Sequence, residues 1–145
     1  MLIMTLLAIL LAVSGNSAVI PPATECRSTT GIEKVATTRV VTARQWEAFR
    51  RVAAMRRDRG AEVLPGMIGC VSIGQAARRL EADRQTRRIL RSAGLSARAY
   101  VETGWALAVA DDPEAFGIAA TPAVRANAGF IRRHRDAVNA IMHFK

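Results

Sequence analysis

Two polar residues, Asn127 and His134, interrupt the apolar face of the last helix that the sequence predicts. They stand about two helical turns apart, so both side chains are expected on one side of that helix. A buried polar group needs a hydrogen-bond partner, and Glu102 and Thr103 on the preceding apolar helix are the obvious ones. We therefore predict a buried network that fixes two helices. An acid–base site that uses Glu102, His134 and Asn127 is the alternative, because histidine titrates near neutral pH.

Other chemistry has weaker support in the sequence. No nucleophile with an attached base is visible. The only conceivable ligands for a metal or haem are His134 or His143 with a methionine such as Met55. Two histidines without clustered carboxylates or thiolates are poor evidence for a metal site. We expect a protein without catalytic activity, cofactor or metal.

The chain has two cysteines, Cys26 and Cys70. An even number of cysteines in an exported protein suggests one disulfide bond. Such a bond would close a loop of about 45 residues and stabilise a small domain by roughly 4 kcal/mol in the chain-entropy model. Two free thiols, or a bond between two molecules, are the alternatives.

Arginine dominates the charge of the chain. It supplies 19 of the 21 basic residues, and the formal net charge of +9 admits anionic partners. We expect most of these arginines to be solvated on helix faces, and the sequence identifies no partner. The alternative that the charge admits is an anionic envelope surface or a client protein. A nucleic acid is not expected, because no motif that reads a groove is present and the aromatic residues lie on inward faces. The residues predicted to face such a partner are Arg50, Arg51, Arg57, Arg132 and Arg133.

The N-terminal region has the pattern of a secretory signal peptide. Residues 2–13 are uncharged and small residues follow at 14–18. This run is too short to span a membrane, which takes about 20 apolar residues. We predict a signal peptide over residues 1–18, an extended arm over 19–41 and a helical domain over 42–145. The mature protein is thus expected to be periplasmic or secreted.

Capping signals place four main helices in an all-α domain. Thr42 with Gln45 and Ser72 with Gln75 match the capping box, in which the two residues satisfy each other's backbone amides. The first helix is expected to end at Gly60 and the second at Gly94. The apolar face of the second is discontinuous, which predicts either a bend near Ala82 or two halves packed on different partners.

The remaining two helices differ in polarity. Residues 97–110 follow a possible cap at Ser96 and are apolar on every side, which is typical of a buried central helix. The last helix begins at the pair Thr121 and Pro122, a residue order favoured at helix starts.

Two resemblances arise from short motifs. Residues 94–100, followed by 127–130 and His134, resemble a group of small exported proteobacterial proteins of unknown function. This resemblance implies a compact helical fold and indicates no activity. The segment 41–45 is similar to the Leu-Thr-x-x-Gln box of the periplasmic Spy-type chaperones, which are also small, basic and helical. That similarity makes a chaperone the alternative function, although a buried helix at 97–110 argues against the thin cradle of those proteins.

Overall fold

The computed structural model describes residues 31–65 and 71–142. Within these ranges the chain forms seven α-helices and one turn of 3₁₀ helix, and no strand. The predicted all-α class is confirmed. The helices are α1 (Ile32–Thr38), α2 (Ala43–Asp58), α3 (Ile73–Ala82), α4 (Arg84–Ala93), α5 (Ala97–Asp111), α6 (Pro122–Arg133) and α7 (Arg135–Ile141), with the 3₁₀ turn at Glu114–Phe116.

Helix α5 is the centre of the fold. Eleven of its 15 residues are buried, and α1, α2, α3 and α6 all pack against it. A β-carbon at Gly104 would collide with the side chain of Leu64, so the small residue allows the segment after α2 to approach the helix closely. The prediction of a buried central helix is confirmed.

Aromatic side chains join α2 and α6 to this centre. Phe49 of α2 stacks on Tyr100 of α5 with ring centroids 4.6 Å apart, and Trp46 meets Phe130 of α6 edge-on at 6.0 Å. The phenol of Tyr100 donates a hydrogen bond of 2.6 Å to the carbonyl of Val63. Burial raises the pKa of that phenol, so it stays a neutral donor.

The capping signals mark helix starts correctly. Both capping boxes are present, with the Thr42 and Ser72 hydroxyls accepting from the amides of Gln45 and Gln75. The hydroxyls of Ser96 and Thr121 cap α5 and α6 in the same way.

The segment 31–41 differs from the extended arm that we predicted for 19–41. Residues Ile32–Thr38 are helical, with Ile32 and Ala36 fully buried. These two side chains are four residues apart, so they share one helix face, and that face packs against α5 and α6. Packing on neighbours overrides the weak helix propensity of the β-branched residues.

Two predicted helices are each divided in two. Asp83 has an extended backbone, and it ends α3 and begins α4. The halves then take different partners, since α3 packs mainly on α5 and α4 on α2. A second break at His134 separates α6 from α7. The predicted number of four main helices is therefore too low: the non-helical backbones at Asp83 and His134 add two helices, and α1 adds the third.

Several predictions fall outside the described residues. They are the signal peptide at 1–18, the first part of the arm at 19–30, and the disulfide bond between Cys26 and Cys70. Among the described residues, no helix combines the length and the apolar character that crossing a bilayer requires.

Candidate functional site

Asn127 is fully buried, as predicted, but its partners are not on α5. Its side-chain oxygen accepts from the Val41 amide at 2.8 Å, and its nitrogen donates to the Arg39 carbonyl at 2.8 Å. One amide thus satisfies a donor and an acceptor of the segment between α1 and α2. Asn127 therefore fastens that segment to α6.

His134 is exposed, so its predicted place in a buried network is wrong. Helix α6 ends at Arg133, and the backbone turns at His134 before α7 begins. The periodicity that put His134 beneath Asn127 assumes one continuous helix, and that assumption fails at this residue. The imidazole instead lies against the ring of Phe130, with centroids 4.4 Å apart.

Glu102 and Thr103 also have partners other than those predicted. The Thr103 hydroxyl donates to the Ala99 carbonyl of its own helix at 2.7 Å. The Glu102 carboxylate accepts from Arg39 and, at 2.9 Å, from Nε of Arg98. No hydrogen bond between described residues links any two of the four predicted network members, namely Asn127, His134, Glu102 and Thr103. The acid–base alternative consequently has no assembled Glu–His pair in this part of the chain.

The five arginines predicted to face an anionic partner are all exposed, and they lie on α2 and α6. Arg50 forms an ion pair of 2.6 Å with Glu47 and lowers the pKa of that carboxyl group. Arg57 donates to the Ala140 carbonyl of α7. Two of the five are therefore engaged within the molecule, which leaves Arg51, Arg132 and Arg133 as the freer cations of this set.

A denser group of arginines lies on α4. Arg84, Arg87, Arg88 and Arg91 follow the spacing i, i+3, i+4 and i+7, which places them on one helix face. All four are exposed, and α4 contains no acidic residue. None of the ion pairs among the described residues involves them. We call these four residues the arginine stripe.

The opposite face of α4 is fixed to α2 by a buried polar junction. Arg56 is only 8% exposed; its Nε donates to the Glu62 carbonyl at 2.7 Å and its Nη1 to the Thr86 hydroxyl at 2.9 Å. That hydroxyl donates in turn to the carboxylate of Asp83, which also pairs with Arg59 at 3.0 Å. Leu90, one turn further along α4, completes the inward face.

This junction was not predicted from the sequence. Arg56 interrupts the apolar pattern near the end of α2. A charged side chain at that place is easily interpreted as solvent-exposed in a frayed last turn. Its position seven residues after buried Phe49 is the available signal, since that spacing keeps it on the inward face. The hydrogen bond from Thr86 lowers the pKa of Asp83, and the bonds from Arg59 and the Gln85 amide lower it further. Partial burial acts in the opposite direction and raises this pKa, but its effect is outweighed.

The arginine stripe opposes the stability of its own helix. Residues three and four apart on a helix are neighbours, so the stripe contains four like-charge pairs. At about 0.2–0.5 kcal/mol for each pair, the total cost to an isolated helix is on the order of 1 kcal/mol. Arg84 also lies at the positive end of the helix dipole, where a cation is unfavourable. Two contacts return part of this cost, because Nη1 of Arg87 donates to the Glu81 carbonyl at 3.1 Å and Arg91 lies in the last turn, where a cation is favourable. The four like charges on one face still represent a local cost of the kind expected at functional sites.

No protein-family model, curated protein or solved structure matches this chain. Function is therefore inferred from the charges and contacts of the described residues.

Proposed function

We propose that this chain is an exported, non-catalytic helical protein that binds an anionic surface of the cell envelope through the arginine stripe. The observation that carries the proposal is the stripe itself: four exposed guanidinium groups on one face of a ten-residue helix, without a carboxylate partner. Guanidinium groups suit such a surface because their planar donors match the oxygens of phosphate and carboxylate groups.

The polar junction supports this function by orienting α4. A helix of ten residues is too short to be stable by itself in water. Its inward face is fixed by Thr86 and Leu90, so the outward face is presented as a rigid row of cations. Binding to a rigid row loses little conformational entropy on the protein side apart from that of the side chains themselves.

The expected affinity for an anionic vesicle follows from the number of arginines in contact with it. Each arginine near an anionic membrane surface contributes about 1 kcal/mol. Loss of the four should therefore lower vesicle binding by two to three orders of magnitude, since about 1.4 kcal/mol corresponds to a factor of ten. Salt should weaken binding because exposed charges are screened over about 10 Å at 0.1 M ionic strength.

The test is sedimentation with vesicles of neutral phosphatidylcholine, with and without anionic phosphatidylglycerol, at low and high salt. A variant with all four stripe residues changed to glutamine is expected to lose most of the binding. The matched control changes four exposed arginines elsewhere to glutamine and so removes the same charge; these are Arg44, Arg51, Arg132 and Arg133.

Equal loss of binding in both variants would show that net charge alone is responsible and would contradict the stripe. Binding to neutral vesicles as strong as to anionic ones, or binding indifferent to salt, would contradict the electrostatic basis altogether.

Export is the second part of the proposal, and the apolar run at 2–13 followed by small residues supports it. Fusion of residues 1–25 to a reporter enzyme that is active only outside the cytoplasm should give activity. Mass spectrometry should find a mature N-terminus between Gly15 and Val19. An intact Met1 on the mature protein would contradict cleavage.

The Spy-like chaperone alternative has less support. A chaperone that captures unfolded clients needs accessible apolar surface. Across the described residues, Val40 is the one large hydrophobic residue that is exposed. Most of α5 is enclosed by other helices, which differs from an open cradle.

A further inference from the structure

An open groove of about 750 Å³ lies between α1, the first residues of α3 and the first half of α5. It is on different elements from the arginine stripe, because no residue of α4 lines it. Its walls combine apolar with charged side chains. The lining residues that matter here are Val35, Val40 and Ile73, together with Lys34, Arg39, Arg98 and Glu102.

Glu102 arranges two of the cations. Arg39 donates to one of its carboxylate oxygens and Arg98 to the other, so the carboxylate bridges two guanidinium groups. The Glu102 side chain is only 13% exposed, which favours a fixed geometry. Each guanidinium has five N–H donors, and most of them are not used by this bridge. Both guanidinium groups therefore lie at the groove with unused donors, Arg39 with a side chain that is 25% exposed and Arg98 with one that is 66% exposed.

Lys34 adds a third cation from α1. Its side chain is exposed, and no ion pair among the described residues reaches it. The groove thus has three cations against one carboxylate. Such a surplus in a concave site attracts an anion more strongly than the same charges spread on a convex surface.

The apolar part of the groove indicates what the anion is attached to. Val40 is 51% exposed, an unusual state for a large hydrophobic residue in this fold, and it lines the groove with Val35 and Ile73. Covering Val40 would remove apolar surface from water, which is favourable. A ligand with both an anionic group and a short apolar chain would contact the cations with the first and the apolar side chains with the second.

We infer that this groove binds a small molecule in which a phosphate group is joined to an apolar chain. Phosphate is favoured over a single carboxylate because it offers at least three oxygens, one for each of Lys34, Arg39 and Arg98. A phosphorylated lipid headgroup and a water-soluble phosphate monoester share this chemistry. The inference does not depend on the proposed function, since vesicle binding by the stripe uses none of these residues.

Isothermal titration calorimetry of the full mature chain tests the inference. The probes are inorganic phosphate, short-chain dihexanoyl phosphatidic acid and, as a control without net negative charge, dihexanoyl phosphatidylcholine. We expect phosphatidic acid to bind and phosphatidylcholine to bind much more weakly. Inorganic phosphate should compete with phosphatidic acid, because both occupy the three cations.

Gly74→Asp is the informative variant, since Gly74 also lines the groove. An added β-carbon there meets only the end of the flexible Arg78 side chain, at 3.6 Å. An acidic residue in the first turn of a helix is favourable, so this variant should fold at least as well as the wild type. A carboxylate in the groove should weaken phosphatidic acid binding about tenfold or more by repulsion.

Arg51→Gln is the matched control for a change of one charge outside the groove, and its affinity should equal that of the wild type. If phosphatidic acid binds more tightly than inorganic phosphate, the lipid is supported as the source of the ligand. If the two bind equally, the apolar wall contributes nothing to affinity, and the inference of a phosphate joined to an apolar chain is overturned. No binding of either probe, or Gly74→Asp binding as tightly as wild type, would overturn the inference.

Discussion

Helices α4 and α5 are neighbours in the chain and differ in almost every physical respect. Helix α5 buries 11 of its 15 residues, whereas α4 buries only Thr86 and Leu90 among ten. Helix α5 is enclosed by four other helices, while α4 turns four arginines to solvent. Helix α5 therefore forms the core of the fold, whereas α4 is a surface helix that the rest of the fold holds in place.

The contrast also explains where each helix obtains its stability. Burial of apolar surface stabilises α5 at about 25 cal/mol for each Å² removed from water. Helix α4 buries little apolar surface and depends on the hydrogen bonds that Arg56, Thr86 and Asp83 exchange. We therefore expect substitutions around α5 to unfold the protein, and substitutions on the outer face of α4 to leave it folded.

The largest effect is expected where α2 packs on α5. Phe49→Ala should lower the free energy of unfolding by about 3–5 kcal/mol, because it deletes a fully buried ring and leaves a cavity beside Tyr100. Urea denaturation measures the change. Phe116→Ala, at a half-buried position, is the control and should cost clearly less. Phe116 also contacts α5, edge-on to Trp105 at 6.1 Å, so the pair compares full with partial burial against the same helix. Equal costs would contradict the expectation that full burial of Phe49 sets the larger loss.

Asn127→Ala should have the next largest effect. It leaves the buried amide of Val41 without an acceptor, at a cost of about 1–3 kcal/mol. The matched change is His134→Ala, which removes an exposed side chain of the same helix region and should cost less than about 0.5 kcal/mol. The melting temperatures of both variants, compared with that of the wild type, measure the two losses of stability. A larger loss for His134→Ala would restore the buried network that the sequence suggested.

Removal of the arginine stripe should have a smaller effect of opposite sign. Changing its four residues to glutamine relieves the like-charge pairs, so stability should rise by an amount on the order of 1 kcal/mol at low salt. The gain should shrink at high salt, because salt screens exposed charges. Chemical denaturation at two salt concentrations measures it. Marked destabilisation would show that the stripe contributes to the fold and would contradict the contrast between α4 and α5.

The smallest effect is expected from the pH dependence of the polar junction. The pKa of Asp83 is lowered in the folded protein from its ordinary value of 3.8. Its hydrogen bonds therefore stabilise the fold fully above that value, and the contribution disappears as the pH falls below 3.8 and through the lowered pKa. Asp83→Asn still caps α4 but does not titrate. The melting temperatures of wild type and variant should differ at pH 7 and converge toward pH 3; a constant difference would contradict the account.

The local signals in the sequence were sufficient for α5 and for the helix starts. Uniform apolar character and the caps at Thr42, Ser72, Ser96 and Thr121 depend on near neighbours, so they can be identified without a fold. Helix α1 could not be predicted from such signals, because the packing of Ile32 and Ala36 on distant helices decides its conformation.

The candidate site illustrates the same limit. The arginine spacing on α4 is visible in the sequence, but the break at Asp83 is needed to turn that face outward. The groove cannot be predicted at all, since Lys34, Arg39 and Arg98 come together only through the packing of α1 on α5.

The central claim is that α4, and not the net charge of the chain, contacts an anionic surface. Amide NMR signals recorded with anionic bicelles that contain a paramagnetic lipid test this claim directly, because signals weaken according to their distance from the bilayer. We expect the strongest weakening at residues 84–91 and little at the buried residues 100–110. Weakening centred on residues 44–51 and 132–133, or spread evenly over the exposed arginines, would contradict it.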